Sequence, residues 1–429
     1  MNHFQHRAGV LHAEDVPLPT IAAEVGTPFY CYSTATLSRH YDVFSRAFDG
    51  IDHLVCYAMK ANSNQAVLST LARHGSGADV VSGGELMRAR RAGIPAARIM
   101  FSGVGKQAWE MALALAEDIL CFNVESEPEL ETLSARAVAA GREARVSFRI
   151  NPDVDAGTHA KISTGKKEDK FGIAWHDAAR VYARAGELPG IRVTGIDMHI
   201  GSQITQLEPF DAAFGRLRGL IEQLRGEGHA IEHVDLGGGL GIPYHADNRP
   251  PPDPVEYASV VRRHVEGLDA QIIFEPGRLI AGNAGIFVTS VLYVKEGDDR
   301  VFVIVDGAMN DLIRPTLYDA HHEVIPVDVN RAASGRVRAD VVGPVCESGD
   351  FLALQRDMAL PRAGDLLALG SAGAYGAVQS GTYNSRALVP EVLVNGAQWH
   401  VVRPRPALEA LIAQDSLPPW LAADEGGAA

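Results

Sequence analysis

"DHLVCYAMKAN", residues 52–62, is the stretch from which the fold can be read. Its apolar run has the length and character of a buried strand, and the run stops at Lys60. Lysine is strongly hydrated and is almost never fully buried without a partner. Two explanations stand for its position. The side chain snorkels to solvent from a strand end, which is the ordinary case, or its amine is a working nucleophile. What surrounds the stretch decides between them.

Working outward, short β-type runs alternate with helical stretches over residues 52–275. The strand candidates are "HLVCYA", "GADVVS", "ARIMFS", "LCFNVE", "ARVSFRI", "VTGIDMHI", "IEHVDL" and "QIIFE". Between them lie segments of helical period such as "EPELETLSARAVAA" and "FDAAFGRLRGLIEQLRGEG". Eight strand–helix units are the count of a parallel (β/α)8 barrel of the TIM type. An open doubly wound sheet is the alternative, but it usually has fewer strands. After residue 286 the pattern turns to "IFVTSVLYVKEGDDRVFVIVDG", two alternating runs around a Gly-Asp turn. The α/β fold predicted is therefore a barrel over residues 28–285 and a mostly antiparallel β-sandwich or β-barrel domain over 286–429, which residues 1–27 are expected to join.

With 429 residues, 46% of them hydrophobic, the chain is long enough for both units. A formal charge of −14 argues against a nucleic-acid or anionic-membrane surface but leaves a small zwitterionic substrate open. Cys31, Cys56, Cys121 and Cys346 show no CxxC pair and no zinc spacing, so a reducing cytoplasm is expected and no metal is called for. The N-terminus lacks a basic segment followed by an apolar one, so no signal peptide is expected. The longest apolar stretch, "LIAGNAGIFVTSVLYV", is too short and too polar to span a bilayer. The tail "AADEGGAA" is expected to fray.

In such a barrel, chemistry collects at the C-terminal ends of the strands. Lys60 follows strand one, Asp79 lies in strand two, and His199 ends strand six. Gly237, Gly238 and Gly239 follow strand seven, and Glu275 ends strand eight. Each has a structural reading: a capping aspartate, a satisfied histidine, a plain turn, a salt bridge with Arg278. Their shared face favours function. The Gly-rich turn and "EPGR" supply N–H groups, helix starts and a guanidinium where barrels of this type bind phosphate. A phosphate site, a lysine and a carboxylate between them suit pyridoxal 5′-phosphate (PLP), with Lys60 carrying it, Glu275 at its ring nitrogen and His199 on its face.

Longer motifs sharpen this reading. "YAMKANSN", "NPDVDAGTHAKISTGKKEDKFGI", "HIGSQ", "LGGGLGIPYH" and "EPGR" in the barrel resemble the PLP-dependent decarboxylases of the alanine-racemase-like class, most closely the diaminopimelate decarboxylase family. So do "DGAMNDLIRPTLYDA", "GPVCESGDFLA" and "GAYG" beyond it, and the likeness runs from residue 26 to 392. The resemblance implies the following roles. Lys60 holds the cofactor covalently, with Asp79, His199, Ser202, Gly238, Gly239, Glu275, Gly277, Arg278 and Tyr375 around it. Arg278, Arg314 and Tyr318 hold the carboxylate that is retained, Glu347 takes the distal ammonium, and Tyr375 touches both cofactor and substrate. Cys346 is the general acid; its acidic neighbours Glu347 and Asp350 disfavour a thiolate. Outside its motif the same cysteine would read as a small buried hydrophobe. Met59 and "ALVPEV" depart slightly from the family pattern.

The resemblance also implies a homodimer with shared active sites and decarboxylation of meso-2,6-diaminopimelate to L-lysine, the last step of lysine biosynthesis. Ornithine-, arginine- and lysine-type relatives share the barrel and the lysine, but their substrates end in a cation and need acids alone. A second amino-acid head calls for an arginine as well, which makes Arg314 discriminating, unless it merely pairs with Asp311 or Asp319. A non-catalytic PLP-binding barrel would need no second domain. A racemase would want a base on each face.

Overall fold

The computed structural model describes residues 2–155, 170–245, 250–298, 300–331 and 335–421. The tail "AADEGGAA" and most of the long loop "NPDVDAGTHAKISTGKKEDKFGI" lie outside the described residues. Eight strands form the barrel: β1 (His53–Ala58), β2 (Gly77–Val80), β3 (Ile99–Phe101), β4 (Cys121–Val124), β5 (Ala144–Asn151), β6 (Ile191–Asp197), β7 (His233–Asp235) and β8 (Gln271–Phe274). All neighbours pair in parallel, and β8 pairs with β1, so the barrel closes.

Strand alternation sets what lies inside. Leu54, Cys56, Met100, Cys121 and Ile273 form one apolar cluster, while their neighbours Val55, Tyr57, Phe101 and Phe122 belong to the larger cluster beneath the helices. Two residues further along the inner face the lining turns polar: Met100 leads to Ser102, Cys121 to Asn123, Ile273 to Glu275. These three bond together, Asn123 donating to Ser102 at 3.1 Å and Ser102 to Glu275 at 3.3 Å. The barrel thus has an apolar floor and a polar upper layer.

The helix ring consists of α1 (Thr34–Arg46), α2 (Gln65–Arg73), α3 (Gly83–Arg91), α4 (Ala108–Glu117), α5 (Glu127–Ala140), α6 (Ala178–Glu187), α7 (Glu208–Gly226) and α8 (Pro254–Val265). Local chemistry explains several starts. Ser82 accepts the Glu85 N–H at 3.2 Å, and Asp253 with Glu256 forms a reciprocal cap ahead of Pro254. The eighth helix is α1, which precedes the first strand and packs against α2 and α8. After β8 comes only the short helix Arg278–Ala281.

Beyond the barrel, Gly285–Glu296 organises a nine-stranded sheet. Most pairs are antiparallel, but Val301–Val305 runs parallel to Arg336–Val342, so the sheet is mixed. Phe29–Ser33 was expected in the barrel, within 28–285; it lies instead in this second sheet, antiparallel to Gly285–Glu296 and parallel to Glu391–Asn395. Its five side chains are all buried, so it shows no alternation that would mark its sheet. We therefore propose that the barrel unit starts at Thr34. The N-terminal strands and helix Leu18–Val25 pack Leu11, Val16 and Ile21 against Phe29, Ile286 and Val392 of this sheet. No helix among the described residues is long and apolar enough to cross a membrane.

Candidate active site

Lys60 sits in a short helical turn, Met59–Ala61, at the mouth of the barrel directly after β1. Its amine donates to Asp79 Oδ2 at 2.9 Å, and the other carboxylate oxygen of the fully buried Asp79 has no partner among the described residues. The lysine side chain keeps 37% of its surface accessible and lines a cavity of about 450 Å3. Burial works against its charge, but Asp79 and Glu275 outweigh it and hold the amine above the ordinary lysine range. So the side chain does not snorkel away: it is anchored toward the barrel axis.

Beneath the lysine the polar layer is acidic. Carboxylate oxygens of Asp197, Asp235 and Glu275 lie within 4.8 Å of one another, all buried. Burial and then the charge of Asp235 push Glu275 well above the usual carboxylate range, and burial lifts Asp235 to about 6. So dense a set of buried carboxylates cannot all ionise. His199 completes this side of the cavity. It accepts the Gly238 N–H on Nδ1 at 3.2 Å, and burial together with Arg149 and Lys60 keeps its ring neutral.

Beside His199, backbone N–H groups, a hydroxyl and a guanidinium converge in a set that could receive an anion. Ser202, Gly237–Gly239, Gly277 and Arg278 wall a pocket of about 20 Å3 adjoining the main cavity. The glycines are required by crowding: a β-carbon on Gly238 would collide with the Glu275 carbonyl, and one on Gly239 (φ 111°) would sit 2.6 Å from that of Gly201. Arg278 donates to Ser202 Oγ at 3.1 Å and to Tyr244 Oη at 2.6 Å.

The second domain supplies Arg314, Tyr318 and Tyr375 to the same cavity. Tyr375 takes a positive φ of 57°, donates its N–H to the Ala61 carbonyl at 2.7 Å, and lays its ring 4.8 Å from the Arg278 guanidinium. Arg314 is 5% exposed and donates to His322 Nε2 at 2.9 Å. Neither Asp311 nor Asp319 pairs with it; Asp311 faces Arg386 at 3.5 Å. Among the described residues neither Arg278 nor Arg314 has an acidic partner, and the cavity wall carries four cations (Lys60, Arg149, Arg278, Arg314) and no carboxylate. Cys346 and Glu347 are exposed and absent from that wall. Asp350, expected to act on Cys346, spends its carboxylate on the N–H groups of Met309 and Val345.

Some residues of the site were not singled out from the sequence. Arg149, on the inner face of β5, lines the cavity and pairs with Glu125 at 3.4 Å. A charged residue inside the apolar run "ARVSFRI" was the available signal, the same kind that marked Lys60. Tyr244 lay unassigned within a quoted motif, and nothing local marks His322.

A family described as pyridoxal-dependent decarboxylase, pyridoxal binding domain, matches residues 34–282. The diaminopimelate decarboxylase of Pseudomonas aeruginosa is 52% identical, over 98% of this chain and 100% of its own length. Among solved structures, diaminopimelate decarboxylase from Helicobacter pylori complexed with L-lysine superposes with a TM-score of 0.89 at 40% identity, covering 92% of this chain and 98% of that one. The enzyme from m. jannaschii in co-complex with L-lysine gives 0.93 at 34% identity, covering 98% and 100%.

Proposed function

The chain belongs to the diaminopimelate decarboxylase family of pyridoxal-dependent decarboxylases, and from that premise we propose that it converts meso-2,6-diaminopimelate to L-lysine and CO2 with PLP held at Lys60. The residues present fit the cofactor. An amine faces the cavity, a glycine cradle that no β-carbon could share lies beside Arg278 and Ser202, and a buried carboxyl group stands behind the lysine. When bound, the cofactor supplies a sink for the electron pair left by the departing carboxylate.

The chain's own groups do the rest. Asp79 steers the Lys60 amine, Ser202, Gly238, Gly239, Gly277 and Arg278 would hold the phosphate, and Glu275 would favour the protonated ring nitrogen. His199, neutral, would lie against the ring, and Tyr375 would touch both cofactor and substrate. Arg278, Arg314 and Tyr318 grip the carboxylate that stays.

One observation carries the choice of substrate: a buried Arg314 on the wall of the lysine's cavity with no acidic partner among the described residues. A buried guanidinium is costly unless paired, and its geometry matches a carboxylate. An ornithine-type substrate would leave it unpaired.

The site also needs a carboxylate for the distal ammonium, and the wall described holds none; it needs an acid to return a proton as well, a role the family resemblance gives to Cys346. We assign these to Glu347 and Cys346 of the partner subunit in a homodimer with two shared sites. Four unpaired cysteines, three of them buried, support a cytoplasmic setting. Incubating purified protein with PLP and meso-diaminopimelate should yield lysine and CO2 in equal amounts, with little product from ornithine; the reverse preference would overturn the assignment of substrate.

A further inference from the structure

His322 is fully buried, and the function proposed above gives it no role. Both of its ring nitrogens are engaged. Nδ1 lies 2.7 Å from the Gly370 carbonyl oxygen, which can only accept, so Nδ1 carries the hydrogen. A neutral ring then has its lone pair on Nε2, where Arg314 Nη1 donates at 2.9 Å. Burial and the adjacent guanidinium hold the ring neutral, its pKa depressed to about 3. The tautomer therefore follows from one backbone oxygen at the end of strand Leu366–Leu369.

Tyr244 closes the arrangement from the other side. Its ring centroid lies 4.8 Å from the Arg314 guanidinium carbon, and its ring meets His322 edge-on at 5.8 Å and 85°. The guanidinium is thus held at one edge by an acceptor and over one face by a ring, while its buried Nε has no partner among the described residues.

We propose that His322 is a positioning residue for substrate recognition: a neutral imidazole, locked in one tautomer by Gly370, that clamps Arg314 so that its free donors meet the retained carboxylate. Without the clamp the guanidinium would have to be ordered at the moment of binding, and that ordering subtracts from affinity. This rests on the reading of Arg314 as the carboxylate's partner, so the test separates the two.

The test is calorimetric binding to the PLP-loaded protein of L-lysine, which keeps the carboxylate, and of 1,5-diaminopentane, which lacks it. Native protein should prefer L-lysine. His322→Leu should weaken L-lysine about tenfold and change the diamine by less than about twofold. His322→Gln, which restores one donor and one acceptor, should recover most of the loss. Equal losses on both ligands, no loss, or a glutamine variant as weak as the leucine variant would overturn the proposal. Native protein that binds both ligands alike would overturn the carboxylate reading, and the role of His322 with it. Nitrogen NMR of the native protein needs no variant: the His322 Nε2 signal should be that of an unprotonated nitrogen and should move with L-lysine but not with the diamine. A protonated Nε2 at neutral pH would sink the idea directly.

Discussion

Replacing Arg314 by glutamine separates a residue that serves the ligand from one that serves the fold. Arg314 is 5% exposed, its pKa is lowered by burial, and Arg278 adds like-charge repulsion. In the ligand-free protein the charged guanidinium is therefore a strained element, and removing its charge relieves that strain. Glutamine ends two bonds short of the nitrogen that reaches His322, so that ring loses its donor, a cost of about 1 kcal/mol that offsets the relief. The cofactor-free Gln variant should therefore unfold within about 1 kcal/mol of the native protein. With substrate the balance reverses, because a carboxylate now meets a neutral amide in place of a forked cation. A charge-assisted bidentate pair is worth about 2–4 kcal/mol, so kcat/KM for meso-diaminopimelate should fall about 30- to 1,000-fold. The assay pairs initial rates of CO2 release with urea unfolding of the cofactor-free protein. A stability loss above about 1 kcal/mol with a rate loss below about threefold would refute the argument and return Arg314 to a structural role.

Lys60→Ala should abolish the visible absorption band of the covalently held cofactor; a band that survives would place the attachment elsewhere. Co-refolding Lys60→Ala with Cys346→Ala tests the shared site: if half the dimers are mixed, each restores one of its two sites, so activity should return to about a quarter of native. A flat zero with subunit exchange verified would rule sharing out. The cofactor-free protein should lose stability as pH rises from about 4 to about 7. Burial lifts Asp235 from an unfolded value near 3.9 to about 6. The native state therefore holds the extra proton in that window, and the stabilisation, complete below the unfolded pKa, is lost as pH climbs through 6. At most about 3 kcal/mol is at stake, and Asp235→Asn should flatten that part of the urea-unfolding profile.

The barrel could be read because its strands are covered on both sides and so appear as short apolar runs, and because the one lysine that ended such a run stood out. Arg149 offered nearly the same signal. It is flanked by Phe148 and Ile150, though, so nothing marked it as the point where the interior turns polar. Asp197 and Asp235 were hidden for the same reason: a carboxylate on the inner face of a strand looks like an ordinary period-two alternation until its neighbours across the barrel are known. Phe29–Ser33 failed differently. Its pairing is with Gly285–Glu296 and Glu391–Asn395, far along the chain, and an all-buried run carries no period to say which sheet it joins.

His322 shows the limit most clearly, since its meaning depends on a single carbonyl from another strand and a guanidinium from a short helix. Cys346 and Glu347 are the converse case. Their motif was recognisable by its resemblance to the family, yet one chain holds the segment exposed and off its own cavity wall. On the proposed dimer that displacement is the requirement rather than the anomaly. A proton donor that must reach a neighbour's cavity has to project from its own chain. Its position relative to the reacting carbon is then set by a two-fold contact between chains, which no local pattern encodes.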